Sequence, residues 1–129
     1  MCIRDRNDKS HIRFSPLDLE SVSIVSFADA SYNNLKDGGR QGGHVIFLVD
    51  KENNCCPLEW KSNRIKRVVR SALAAETLAC TDCAESIRYW LQVMNEVLRP
   101  RHEIKVIHYT DSKSLTDHLD GTRVVSDRF

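Results

Sequence analysis

No apolar run in this 129-residue chain approaches the roughly 20 residues that a membrane-crossing helix needs, and no apolar signal core follows the basic opening residues. A membrane protein and a secreted one are therefore not expected, and a reducing intracellular setting is. Disulfide chemistry is poorly provided for: the five cysteines are an odd number, and Cys55 and Cys56 are adjacent. Cys80 and Cys83 form a C-x-x-C, but the second spaced pair usual in zinc sites is missing. On a helix these two thiols share one face and act as small hydrophobes, with a zinc site built with Cys55 or Cys56 as the alternative. No internal repeat is visible.

What remains is the composition of one globular domain with a real core, 41% hydrophobic and 29% charged. The net charge of +1 hides a local asymmetry. Lys61, Arg64, Lys66, Arg67 and Arg70 fall in a stretch without a single acid. Such a cluster suits phosphates, and it equally suits a solvated basic loop.

Residues 1–20 show no sustained period and read as a linker or non-native extension, with the domain proper over 21–129. Val25, Phe27 and Asp29 share one face of a strand that begins near Ser21, with Val22 and Ile24 adding apolar character. A turn through Asn33-Asn34 and Asp37-Gly38-Gly39 leads to an interior strand over His44 to Val49, apolar on both faces. A polar hairpin connection then enters residues 55–61. There Cys56, Leu58 and Trp60 point one way and Pro57, Glu59 and Lys61 the other, and Pro57 assigns this strand to a sheet edge.

A long helix is expected from Ser71 to Leu98, ended by Pro100. Its apolar rows are Leu73, Cys80, Ile87 and Met94, and Glu76, Cys83, Trp90 and Val97. Ile104 to Tyr109 forms another strand, followed by a short helix capped by Gly121. Three strands, a helix, a strand and a helix make an α/β domain with a mixed sheet, since a helix crossing over joins parallel strands.

Three isolated acids stand out. Asp29 closes the first strand, Glu76 is the sole charge in the helix stripe, and Asp111 follows the fourth strand. A carboxylate aimed at a packed interior is costly without a compensating cation or donor. Each has a plain reading: Asp29 as a turn initiator, Glu76 at the stripe's border reaching water, Asp111 as a helix N-cap. If the first and fourth strands are neighbours, however, the three converge at one rim of the sheet. Mg²⁺ prefers oxygen ligands and retains open positions, so the cluster predicts metal-dependent phosphoryl transfer.

Phe27-Ala28-Asp29-Ala30-Ser31, Gly42-Gly43-His44-Val45-Ile46-Phe47, Trp60-Lys61-Ser62, Ser71-Ala72-Leu73-Ala74-Ala75-Glu76 and Tyr109-Thr110-Asp111-Ser112-Lys113-Ser114-Leu115 resemble, in order and spacing, the ribonuclease H domain of copia-type LTR-retrotransposon Pol polyproteins. The resemblance covers residues 24–120. It implies a ribonuclease H-like fold, strand order 3-2-1-4-5, with the last strand and helix beyond this sequence. It further implies hydrolysis of the RNA strand of RNA–DNA hybrids with two Mg²⁺ ions, for which Mn²⁺ can substitute. Asp29, Glu76 and Asp111 match metal-binding catalytic carboxylates. The family's fourth lies in a later Ala-Asp segment, and Asp117, Asp120 and Asp127 do not occupy that motif.

Ser31, Asn33, Ser71, Ser112 and Lys113 are candidates for reading 2′-hydroxyls, and Arg64, Lys66, Arg67 and Arg70 for phosphates. The implied partners are the hybrid and the reverse transcriptase domain of the same polyprotein, with no membrane and no small-molecule cofactor. The implied location is a cytoplasmic virus-like particle or the nucleus. Of His11, His44, His102, His108 and His118, none matches the family's mobile histidine. His44 and His108 are expected to pair with backbone groups, and the other three to be exposed. The rival readings are a degenerate, inactive domain that binds nucleic acid or scaffolds Pol, and a related-fold DNA nuclease or strand transferase.

Overall fold

A computed structural model describes residues 11–31 and 39–119. Six elements follow in order: β1 (Ser23–Ser31), β2 (Gln41–Val49), β3 (Cys55–Arg64), α1 (Ala72–Leu98), β4 (Lys105–Tyr109) and α2 (Lys113–Leu119). They build one sheet ordered β3-β2-β1-β4. β2 pairs antiparallel with β1 and β3, while β4 lies parallel to β1 after the α1 crossover. This is the expected mixed α/β sheet. The residues 1–10, Asn33, the turn at 33–38, the Gly121 cap, Asp120 and Asp127 lie outside the described residues.

The inward face of β1 is the reverse of the expected one. Ile24, Ser26 and Ala28 are buried, whereas Phe27 is 45% exposed and Asp29 is exposed too. α1 packs on the even-numbered side, where Ile24, Ala28, Ile46, Leu48, Cys83 and Ile87 form the core. The odd-numbered side carries Phe27 and, across the parallel pair, Tyr109, which is 52% exposed. Apolar alternation alone did not distinguish the two sides, because both are apolar.

In β3 the expected alternation breaks at a bulge. Ile46 pairs with Glu59 while Phe47 pairs with Pro57, leaving Leu58 as the extra residue. Trp60 therefore faces away from Leu58, which packs against the core, and Trp60 is 61% exposed. β3 is a sheet edge, consistent with Pro57 lacking a ladder donor.

α1 starts where Ser71 Oγ accepts the Ala74 N–H at 3.1 Å, a serine N-cap. It stops at Arg99, whose left-handed backbone (φ 45°) directs its N–H to Asn95 O, with Pro100 next. Its buried residues are Ala75, Ala79, Cys83 and Ile87. The expected seven-residue rows drift off this face, and Val97 is 69% exposed, because a straight helix turns every 3.6 residues rather than 3.5. Alanines at the N-terminal end permit close approach to the sheet: a Cβ on Gly42 would stand 3.4 Å from Ala79 Cβ. That proximity carries Glu76 to the rim.

Two polar knots secure the frame. Asp50, 5% exposed, accepts backbone N–H groups from Asp18, Glu52 and Asn54 and so closes the β2–β3 connection. Through this contact, and through Leu17 packing on the core, part of the segment before residue 21 is tied to the domain. Glu59 accepts from Trp90 Nε1 at 2.9 Å and bonds His44 Nε2 at 2.7 Å, joining β3 to α1 and β2. His44 thus pairs with a side chain, not with backbone as expected.

Candidate metal centre

The parallel register sets two acids side by side. Phe27 pairs with Tyr109 at the end of the β1–β4 ladder, and Asp29 and Asp111 each lie two residues beyond that pair. Glu76, the fifth residue of α1, reaches the same rim from the helix. One carboxylate oxygen from each of the three lies within 4.8 Å of the others, and this is the one such group of ligating side chains among the described residues. The three are not equally interior, as the sequence suggested: Asp29 and Asp111 are exposed and Glu76 is half-buried.

Glu76 bears the electrostatic strain. Burial pushes its carboxyl above the ordinary value of 4.5, the negative charges of Asp29 and Asp111 push in the same direction, and the Ala30 N–H opposes them. Its Oε2 is buried and has no hydrogen-bond partner. Asp29 is partly satisfied, since its Oδ1 accepts the Ala30 N–H at 2.8 Å. A half-buried carboxylate with one unpartnered oxygen, grouped with two further carboxylates, suits a hard divalent cation, which takes oxygen ligands. The residues present therefore fit Mg²⁺ or a similar ion. Neither Asp117 nor any cysteine joins the group, so the alternative zinc site has no counterpart among the described residues.

The plain reading of Asp111 as an N-cap fails, because Ser112 does that work: its Oγ accepts the Leu115 N–H at 3.3 Å. Asp111 is thereby left to the rim. Ser112 and Ser71 both cap helices, Ser31 is half-buried at the end of β1, and Lys113 is exposed on α2. Asn33 is outside the described residues.

Arg64, Lys66, Arg67 and Arg70 are exposed along the end of β3 and the connection to α1. Three of them, Arg64, Lys66 and Arg67, line a groove of about 680 Å³ whose other wall includes Asp82 and Glu85. An apolar hollow of about 600 Å³ on the far side holds Phe27, Asp29, Val45, Tyr109 and Asp111. Gly43 and His44 border both, so basic wall and acidic rim flank one strip of β2.

Sequence reasoning missed the polar layer under the rim. His108 Nδ1 meets Ser26 Oγ at 2.8 Å and its Nε2 meets Cys80 Sγ at 3.4 Å. This side-chain pairing replaces the expected backbone partner, and a polar residue on each of two neighbouring strands was the available signal. His11 and His102 are exposed, and the His118 side chain is outside the description. Cys83, fully buried, belongs to the core as expected, and its thiol is pushed up to about 11 by burial.

No protein-family model matches the chain, and no curated protein matches it. Two solved structures do. One is the crystal structure of LC11-RNase H1 in complex with an RNA/DNA hybrid, 18% identical with a TM-score of 0.53, covering 81% of this chain and 66% of that one. The other is LC11-RNase H1 isolated from compost by a metagenomic approach, 16% identical with a TM-score of 0.54, covering 82% and 66%. At such identities the likeness shows the fold, which is ribonuclease H-like. The chain spans 66% of the length of the structures it matches, a little under two thirds.

Proposed function

We propose that this domain is of the ribonuclease H type and hydrolyses the RNA strand of RNA–DNA hybrids with divalent cations held by Asp29, Glu76 and Asp111. The observation that carries the reading is the gathering of those oxygens within 4.8 Å at the rim of a ribonuclease H-like sheet. A solved structure of that fold holds an RNA/DNA hybrid, which supports the choice of substrate. The sequence resemblance adds the setting: a copia-type Pol polyprotein, beside its reverse transcriptase, in a virus-like particle or the nucleus. No described helix is long and apolar enough to cross a membrane.

Divalent cations, when bound, would supply the positive charge that activates a water and stabilises the departing oxygen. Asp29 and Asp111 would hold them from the ends of the two strands, and Glu76 would hold them from the helix and orient the attacking water. Attack on the scissile phosphorus breaks the bond to the 3′ oxygen, giving a 3′-hydroxyl and a 5′-phosphate. Arg64, Lys66, Arg67 and Arg70 hold phosphates without sequence preference. Ser31, Asn33, Ser71, Ser112 and Lys113 are assigned to the strand that bears 2′-hydroxyls.

A binding-only domain is the second reading, favoured by the basic groove lined by Arg64, Lys66 and Arg67, which suits phosphates whether or not the carboxylates act. Cleavage assays on hybrid, duplex DNA and a four-way junction in Mg²⁺ and Mn²⁺ decide between them and a DNA nuclease. Hybrid cleavage abolished by Asp29→Asn, Glu76→Gln or Asp111→Asn is expected. Hybrid binding with no turnover in either metal would establish the second reading instead.

A further inference from the structure

We propose that His108 is a positioning residue for the three carboxylates, the side chain that locks their supporting elements in register; the inference rests on the metal-site reading above. His108 comes from β4, and its ring is held between β1 and α1. On one edge Nδ1 lies 2.8 Å from Ser26 Oγ, and on the other Nε2 lies 3.4 Å from Cys80 Sγ. Cys83 Sγ completes the layer at 3.9 Å from Nδ1.

The offsets give this layer its meaning. Ser26 is three residues before Asp29, His108 is three before Asp111, and Cys80 is one helical turn after Glu76. The imidazole and its two partners therefore sit on the three elements that lead to the carboxylates, about 10 Å of backbone away along each strand and about 6 Å along the helix. Nothing in core packing requires a polar layer here, since an aliphatic side chain would fill the position between two strands and a helix. A ring with a hydrogen-bonding group on each edge adds what an aliphatic one lacks, a fixed distance and rotation among three elements. Ser26 is fully buried, and its hydroxyl is shared between this ring and the Cys83 thiol. Burial also favours the neutral ring, and either tautomer satisfies both edges, because hydroxyl and thiol each donate or accept.

Groups that hydrogen-bond a metal ligand directly change metal affinity by about 10–100-fold when removed, and His108, which acts through the backbone, belongs at the low end of that range. The test is Mn²⁺ titration of the 129-residue chain by calorimetry, with thermal unfolding of each variant alongside. His108→Leu keeps bulk and burial and loses both edges; about a tenfold weaker Mn²⁺ affinity is expected in protein that remains folded. His108→Asn places an amide at the Nδ1 edge, restores the Ser26 contact and is expected to recover most of the affinity. Ser26→Ala should weaken binding in the same direction as His108→Leu.

Wild-type affinity in folded His108→Leu, or His108→Asn as weak as His108→Leu, overturns the proposal. Those results with hybrid cleavage intact would leave the nuclease reading standing. Conversely, Mn²⁺ binding that responds to His108→Leu and to Asp29→Asn, in a chain that cleaves no hybrid, would sustain the positioning role and remove the nuclease. A wild-type chain that binds no Mn²⁺ overturns both.

Discussion

Phe27 and Tyr109 stack with ring centroids 5.1 Å apart and planes 15° from parallel. They are also the final ladder pair of β1 and β4, and Phe27 meets Phe47 edge-on at 6.4 Å. The stack therefore fixes the two strand ends from which Asp29 and Asp111 emerge. It lies on the side of the sheet away from α1, so it replaces helix packing as the local tie between these strands.

Tyr109→Ala should cost about 0.5–1.5 kcal/mol beyond the lost apolar area, read as a lower urea midpoint. Tyr109→Phe retains the ring and should unfold like wild type. Equal midpoints for Ala and Phe would show that the stack contributes nothing.

Glu76 makes the metal-free fold dependent on pH. Its folded carboxyl is held above the ordinary value of 4.5 by burial and by Asp29, so the folded state binds the proton more tightly than the unfolded chain does. The stabilisation from this group is present at acidic pH and declines as pH rises from 4.5 through the raised value. In EDTA at neutral pH, Glu76→Gln should therefore be more stable by about 0.5–2 kcal/mol, the common exchange of site function for stability. Mg²⁺ should raise the melting temperature of wild type and leave Glu76→Gln unchanged. A melting temperature lowered by Glu76→Gln in EDTA would contradict the account.

Glu59 acts with the opposite sign. Burial works to raise its carboxyl, but hydrogen bonds from His44, Trp90 and Ser86 prevail and hold it below 4.5. Its contribution is present above 4.5 and is lost as pH falls through the lowered value. Glu59→Ala leaves His44 and Trp90 Nε1 without their acceptor and should cost about 2–4 kcal/mol. Glu59→Gln should cost less and flatten the acid limb of a stability-versus-pH curve; an unchanged acid limb would assign the acid sensitivity to other carboxylates.

The mixed sheet, the edge strand and the three acids were legible in the sequence because each rests on a local rule: a helix crossing between parallel strands, Pro57 at an edge, and a lone charge in an apolar stripe; the strand order came from the family resemblance. Three things were not. Which face of β1 turns inward depends on where α1 lands, and Ile24 and Val25 look alike to any periodic count. The bulge at Leu58 adds a residue without a glycine or other turn signal, so Trp60 was assigned to the wrong side. The partners of His44 and His108 are side chains 15 and 82 residues away, a separation to which a local pattern is blind.

Ser71 combines two roles that one pair of substitutions can separate. Its hydroxyl accepts the Ala74 N–H at the start of the helix that carries Glu76, and it is also a candidate contact for the hybrid. Ser71→Ala removes the cap and should cost about 1 kcal/mol, while Ser71→Asp keeps an acceptor at the same place and should restore stability. If capping is the whole role, Asp should also restore hybrid affinity, measured by fluorescence anisotropy in Ca²⁺ to separate binding from turnover. If the hydroxyl meets the nucleic acid as well, Asp should recover the melting temperature and still bind hybrid more weakly than wild type, because its carboxylate repels phosphate. The contact assignment predicts this second outcome, and full recovery of both quantities would reduce Ser71 to a helix cap.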